Sequence, residues 1–137
     1  MQVRTLSVAL GVLALAAAGA VSAQGPGGVK AAPLFSQAIP NAPGKTMAVV
    51  AVDYDPGAAS KPHRHPASGG VFVYVVSGTV RSQAEGGEAK VYGAGDSWFE
   101  PPNAHHIVSA NASATEPARI IAVVVGDEGG QATVYDP

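Results

Sequence analysis

A chain of 137 residues with 47% hydrophobic and only 13% charged side chains, 17 Gly and 11 Pro has room for one turn-rich domain and lacks the composition of a disordered tail. The formal net charge of −2 at pH 7 offers no basic surface, which excludes nucleic acid as an expected partner and leaves small molecules and proteins. With no cysteine, disulfide frameworks, thiolate metal sites and cysteine nucleophiles are excluded together, so any metal must rest on His and carboxylate groups.

The chain opens as a secretory leader does. Arg4 supplies a positive start, residues 6–20 are uncharged and apolar, and Val21-Ser22-Ala23 puts small side chains before a cleavage point at Gln24. The apolar run is short for a bilayer core that needs about 20 residues. The expectation is a signal peptide over 1–23 and a mature periplasmic or secreted protein without a membrane anchor. Next, Pro26, Pro33, Pro40 and Pro43 each fix φ and remove a backbone donor, so residues 24–45 read as a loose arm with one short strand at 34–39. From 46 to 137 extended segments alternate with turn signals. Strands are expected at 46–54, 71–77, 79–83, 89–92, 97–100, 106–110, 119–125 and 132–135, separated by breakers such as Asp55-Pro56-Gly57, Ser77-Gly78 and Pro101-Pro102-Asn103. No segment has a helical apolar period. Short strands at this spacing imply an all-β domain with a closed or sandwiched antiparallel sheet.

The four histidines fall in two places, His63 and His65 in GAASKPHRHP and His105 and His106 in GDSWFEPPNAHHIVSAN. On an extended segment, residues two apart share a face, so His63 and His65 can aim at one point while Arg64 points away. An isolated His-x-His is more often a solvated pair. A third imidazole from a second strand changes that balance, because three nitrogens on one side of a divalent ion leave positions open for water or substrate.

These residues carry a resemblance to the cupins. The first cupin motif is Gly, five residues, His-x-His, three or four residues, Glu, six residues, Gly, matched here by Gly57, His63, His65 and Gly78. The second is Gly, five residues, Pro-x-Gly, two residues, His, three residues, Asn, matched by Gly95, Pro101 and His106. The resemblance implies a double-stranded β-helix (jelly-roll barrel), a divalent metal ion such as Fe, Mn, Zn, Ni or Cu inside it on His63, His65 and His106, and pairing into homodimers. The departures are specific. Val71 stands where the motif has its glutamate, Asn103 replaces a glycine, and Asn111 lies one residue beyond the expected Asn. Asn, like glycine, accepts left-handed backbone angles. His106 rather than His105 has the motif spacing, and adjacent strand residues face opposite ways.

Glu100 is the candidate for the missing acid. It precedes Pro101, so it should be extended, and alternation puts it on the face of Trp98. In related cupins this position carries an inward apolar side chain. A glutamate there would need a cation to balance it, and could serve as metal ligand, as acceptor from a ligand imidazole or as general base; the alternative is a solvated rim residue. Tyr54, Tyr74, Tyr92, Arg81 and Arg119 could touch a substrate but read more simply as packing or solvated groups, and Asp96 as a turn residue. The resemblance implies a metal-dependent enzyme of dioxygenase-like type, similar to the quercetin-dioxygenase-like cupins, acting on a small oxygenated molecule; Glu100, a departure from the family, is the expected catalytic residue by its own position, tuning the metal or moving a proton. A non-catalytic periplasmic ligand- or metal-binding protein and a metal-dependent isomerase or lactonase stand as alternatives.

Overall fold

The structure, a computed structural model, describes residues 28–137 and the backbone of Ala23–Gly25. The expected signal peptide thus lies outside the described residues, Ala23 apart. All regular structure among the described residues is β: β1 (Ala23–Gly25), β2 (Val29–Ala38), β3 (Lys45–Tyr54), β4 (His63–Arg64), β5 (Val71–Ser77), β6 (Thr79–Ala84), β7 (Lys90–Gly93), β8 (Ser97–Glu100), β9 (His105–Asn111), β10 (Ala118–Asp127) and β11 (Val134–Tyr135). They form two antiparallel sheets, one ordered β1-β2-β3-β10-β5-β8 and the other β11-β4-β9-β6-β7. This is the double-stranded β-helix, with its core between the sheets.

The alternation of the sequence builds that core. Val71, Val73 and Val75 of β5 are buried while Phe72, Tyr74 and Val76 face out, and on β10 Ala118, Ile120 and Val124 are buried. Branched aliphatic side chains at these positions suit a pleated surface and each contribute about 1.5–3 kcal/mol when buried. The N-terminal segment departs from expectation. Instead of a loose arm with a strand at 34–39, β2 is a ten-residue strand paired along β3, with its register shifted between Pro33 and Phe35. Pro33 falls at that register shift, an irregularity in the ladder of the kind where proline is found within sheets.

Two turn positions set the approach of the sheets. Gly78, between β5 and β6, has φ 72°, and a Cβ there would lie 2.4 Å from the Pro117 carbonyl oxygen. Asn103 adopts φ 61° in the turn between β8 and β9, the left-handed conformation that its motif glycine would supply. Gly78→Ala should therefore lower stability by about 2 kcal/mol or more in chemical denaturation. Gly87→Ala, whose Cβ would meet nothing closer than Ala84 O at 3.4 Å, should change it little. Equal effects at the two sites would contradict the steric argument.

Candidate metal centre

Three imidazoles converge inside the barrel. His63 on β4 and His106 on β9 are direct antiparallel partners, so the pairing of these two strands places their side chains on one face. His65 lies just past β4, its backbone N–H donating to Ala104 O at 3.1 Å, which keeps the chain extended and returns the imidazole to the side of His63. One nitrogen from each ring lies within 4.8 Å of the others. Adjacent His105 faces the other way, its Nε2 2.8 Å from Asp136 Oδ2 and its Nδ1 3.2 Å from Glu85 Oε2.

Glu100 reaches this cluster from the opposite sheet. It is 4% exposed and pairs across strands with Val71, the position where the cupin motif has its glutamate. The inward orientation anticipated beside Trp98 is the observed one. Trp98 Nε1 donates to Glu100 Oε1 at 2.8 Å, and His106 Nδ1 is 3.3 Å from the same oxygen. Oε2 approaches His65 Nε2 to 2.9 Å but has no hydrogen-bond partner. Such an orphaned carboxylate oxygen in an apolar interior is costly.

Backbone carbonyls fix the rings. Lys61 O accepts from His63 Nδ1 at 2.8 Å and Ala132 O from His65 Nδ1 at 3.0 Å, so each Nε2 is left as a lone-pair donor when its ring is neutral. The Nε2 of His106 is 2.8 Å from Ser82 Oγ. Burial pushes the His63 imidazolium down and that of His106 down to about 4, keeping both rings neutral at ordinary pH. At His65 burial acts the same way, but the Glu100 carboxylate outweighs it and raises the value. For Glu100 burial acts upward, and its contact with His65, the positive charge of His106 and His65 and the bond from Trp98 together hold it below its ordinary range. Two imidazoles held neutral, a third beside the carboxylate and the ionised carboxylate itself are a donor set that fits a divalent transition metal.

Other sequence candidates sort by face. Tyr54 is buried, lines the interior cavity and shares a 2.7 Å hydrogen bond with Ser109 Oγ. Tyr92 stacks on Trp98 with centroids 4.4 Å apart. Tyr74 and Arg81 lie on outer faces, and Arg119 pairs there with Asp53 at 2.6 Å. Asp96 accepts from the Gly93 N–H at 2.8 Å as a turn residue, and Asn111 is structural, its Nδ2 donating to Asp55 O at 3.1 Å and Glu116 O at 2.7 Å. Ser82, Ala132 and Tyr135, the last with its ring 5.6 Å from that of His63, were not evident as site residues in the sequence. Their proximity depends on strand register and on how the C-terminal segment returns.

The cupin-domain family profile matches residues 50–124, more than half of the chain. The chain is a cupin. A double-stranded β-helix protein from Klebsiella pneumoniae subsp. pneumoniae MGH 78578 is similar in structure at TM-score 0.64 and 21% identity, over 83% of this chain and 89% of that one. A cupin-like protein from Thermotoga maritima MSB8 gives TM-score 0.61 at 25% identity, over 79% and 75%. An oxalate oxidase in complex with the substrate analogue glycolate gives 0.56 at 21%, over 65% of this chain and 45% of the oxidase. Comparison of this cupin with curated proteins finds no match.

The shifts predict an unusual pH profile for metal-free protein. His63 and His106 gain protons in the unfolded chain below the ordinary value of 6.5 while the fold holds them neutral, so stability should fall as pH drops toward about 4. For His106 the full loss is on the order of 3 kcal/mol. His65 has the opposite sign: its contribution is complete below 6.5 and is lost as pH rises through its elevated folded value. Thermal melting of chelator-treated protein should peak near pH 6.5, and His106→Gln should flatten the acid limb. Melting that rises steadily through pH 8 would contradict this assignment.

Proposed function

We propose that this cupin is an exported, divalent-metal-dependent enzyme of dioxygenase-like type that acts on a small oxygenated molecule. The observation that carries the reading is the convergence of three imidazoles, two of them held neutral, on the buried Glu100 carboxylate, whose Oε2 is met only by His65 Nε2 at 2.9 Å. His63, His65 and His106 would hold the metal, with Glu100 as ligand or proton carrier. The ion, when bound, would supply Lewis acidity and open positions for substrate and O₂. The chain's own residues would orient the imidazoles through Lys61, Ala132 and Ser82, exclude water with the valine-lined barrel, and receive or return a proton at Glu100 Oε2.

His63→Ala, His65→Ala and His106→Ala should each lower metal affinity by about tenfold or more, with His105→Ala much weaker in effect, as read by metal titration and elemental analysis. Unchanged metal content in all three variants would end the metal reading. Oxygen uptake over phenolic and diketone compounds then tests the reaction. Turnover without O₂ would favour the isomerase or lactonase alternative, and ligand binding without turnover a binding protein.

The identity of the acid is tested separately. Glu100→Gln keeps shape but removes charge, so metal affinity should fall by roughly 10–100-fold with the fold intact by circular dichroism. Because Val71 and Glu100 are opposed on one face, the double exchange Val71→Glu with Glu100→Val should recover part of that loss. Recovery no better than in Glu100→Val alone would mean that the site accepts a carboxylate from β8 only.

Export and pairing belong to the same proposal. An intact mass beginning at Gln24 in periplasmic protein would support the leader, and a mass retaining residues 1–23 would refute it. For a homodimer, the outer face of the larger sheet offers an apolar row made by register, Phe35–Val49–Val123–Phe72–Phe99, in which Phe99 is 63% exposed. Sedimentation should show a dimer that Phe72→Lys converts to monomer; a monomeric parent would refute the pairing.

A further inference from the structure

The lining of the interior cavity restricts what can reach the proposed metal. The cavity has a volume of about 90 Å³. Its polar end is formed by His63, His65, His106 and Glu100, while β3, β5 and β10 contribute Val50, Val52, Val73, Ile120, Ala122 and Val124. Register stacks these in layers away from Glu100. Val71 and Val124 lie at its level, Val73, Ala122 and Val50 at that of Trp98, and Ile120 opposite Val52 beyond. Hydroxyls lie in the wall as well: those of Tyr54 and Ser109 are hydrogen-bonded to each other, and Ser60, Thr133 and Tyr135 complete the lining, none of them a cation. Among the described lining residues there is no Lys or Arg.

A charged group in the aliphatic part would lose its hydration and find no counter-charge. An anionic group beside the histidines could be balanced by the metal, although Glu100 already offsets part of that charge. A second one further in could not. We propose that the ligand is single-headed: one oxygen-bearing end toward the histidines and Glu100, and an uncharged hydrocarbon body along the valine-lined wall. This rests on the metal reading above. It places short dicarboxylates and other doubly charged molecules outside the ligand class.

Titration of cobalt(II)-loaded protein with hydroxamates, followed by the cobalt absorption bands and by calorimetry, separates the two claims. Acetohydroxamate, butyrohydroxamate and pentanohydroxamate share a head and differ in chain length, while the monohydroxamate of succinic acid adds a terminal carboxylate. Affinity should rise roughly threefold to fourfold per methylene until the cavity is filled, and the terminal carboxylate should bind at least tenfold more weakly than pentanohydroxamate. Ala122→Val, which adds volume without charge, should weaken the longer chains more than acetohydroxamate. Stoichiometric cobalt with affinity independent of chain length, or with the carboxylate-tailed probe as tight as the alkyl one, would overturn this inference and leave the metal reading standing. Failure to bind cobalt would overturn both.

Discussion

A carboxylate in an aliphatic barrel is tolerated only where charge and hydrogen-bond donors meet it at close range, and much of this molecule's arrangement bears on how Glu100 is met. The Trp98 N–H binds one of its oxygens at 2.8 Å, and imidazoles from the other sheet approach both. Those imidazoles arrive together because β4 and β9 are paired in a register that sets His63 against His106. That register in turn relies on the turn at Asn103, whose N–H donates to Pro66 O at 3.0 Å and ties the end of β8 to the residue following His65. Backbone geometry and site electrostatics are thus one construction. A slip of one residue in β9 would bring His105 inward and turn the site out.

Much of this was legible in the sequence because it follows from alternation. Strand positions from Thr46 onward, the short β4 apart, the inward set of β5, the choice of His106 over His105 and the inward turn of Glu100 all come from period two together with local turn chemistry. What was not legible depends on neighbours distant in sequence. Pro33 reads as a breaker until the β2–β3 register is seen to shift beside it. Ser82 reaches His106 only through β6–β9 pairing with a register shift between Gln83 and Ala84. The opposition of Val71 and Glu100 likewise needs β5–β8 pairing, which no local pattern encodes.

The C-terminal segment joins the site by the same logic. Its strand β11 pairs with β4, and Asp136 N–H donates to Pro62 O at 3.0 Å, which brings the Tyr135 ring edge-on to His63. The Ala132 carbonyl fixes the His65 tautomer from this segment. On the outer face, Asp136 and Glu85 hold His105, and Glu85 also lies 3.6 Å from Arg64. These exposed ion pairs contribute little to stability individually. They nonetheless gather β4, β9 and both flanking segments on the side opposite the imidazoles, where alternation had to send the intervening residues.

An acid at Glu100 rather than at Val71 faces the same imidazoles from a different support. Directly opposed residues on a sheet face have Cβ atoms about 4.5–5.5 Å apart, within the reach of a glutamate side chain, so a carboxylate from either position can address the same imidazoles. β5 lies between β10 and β8, and a glutamate at Val71 would be enclosed by strands on both sides. β8 is the sheet's last strand, and Glu100 with Trp98 and His106 lines both the interior cavity and a cleft formed with Ser82, Lys90 and Tyr92. The Glu100 carboxylate therefore has the Trp98 donor two residues away on its own strand, and its residue lines both spaces. Glu100 thus lies where the cleft and the interior cavity adjoin, at the polar end of the valine-lined space.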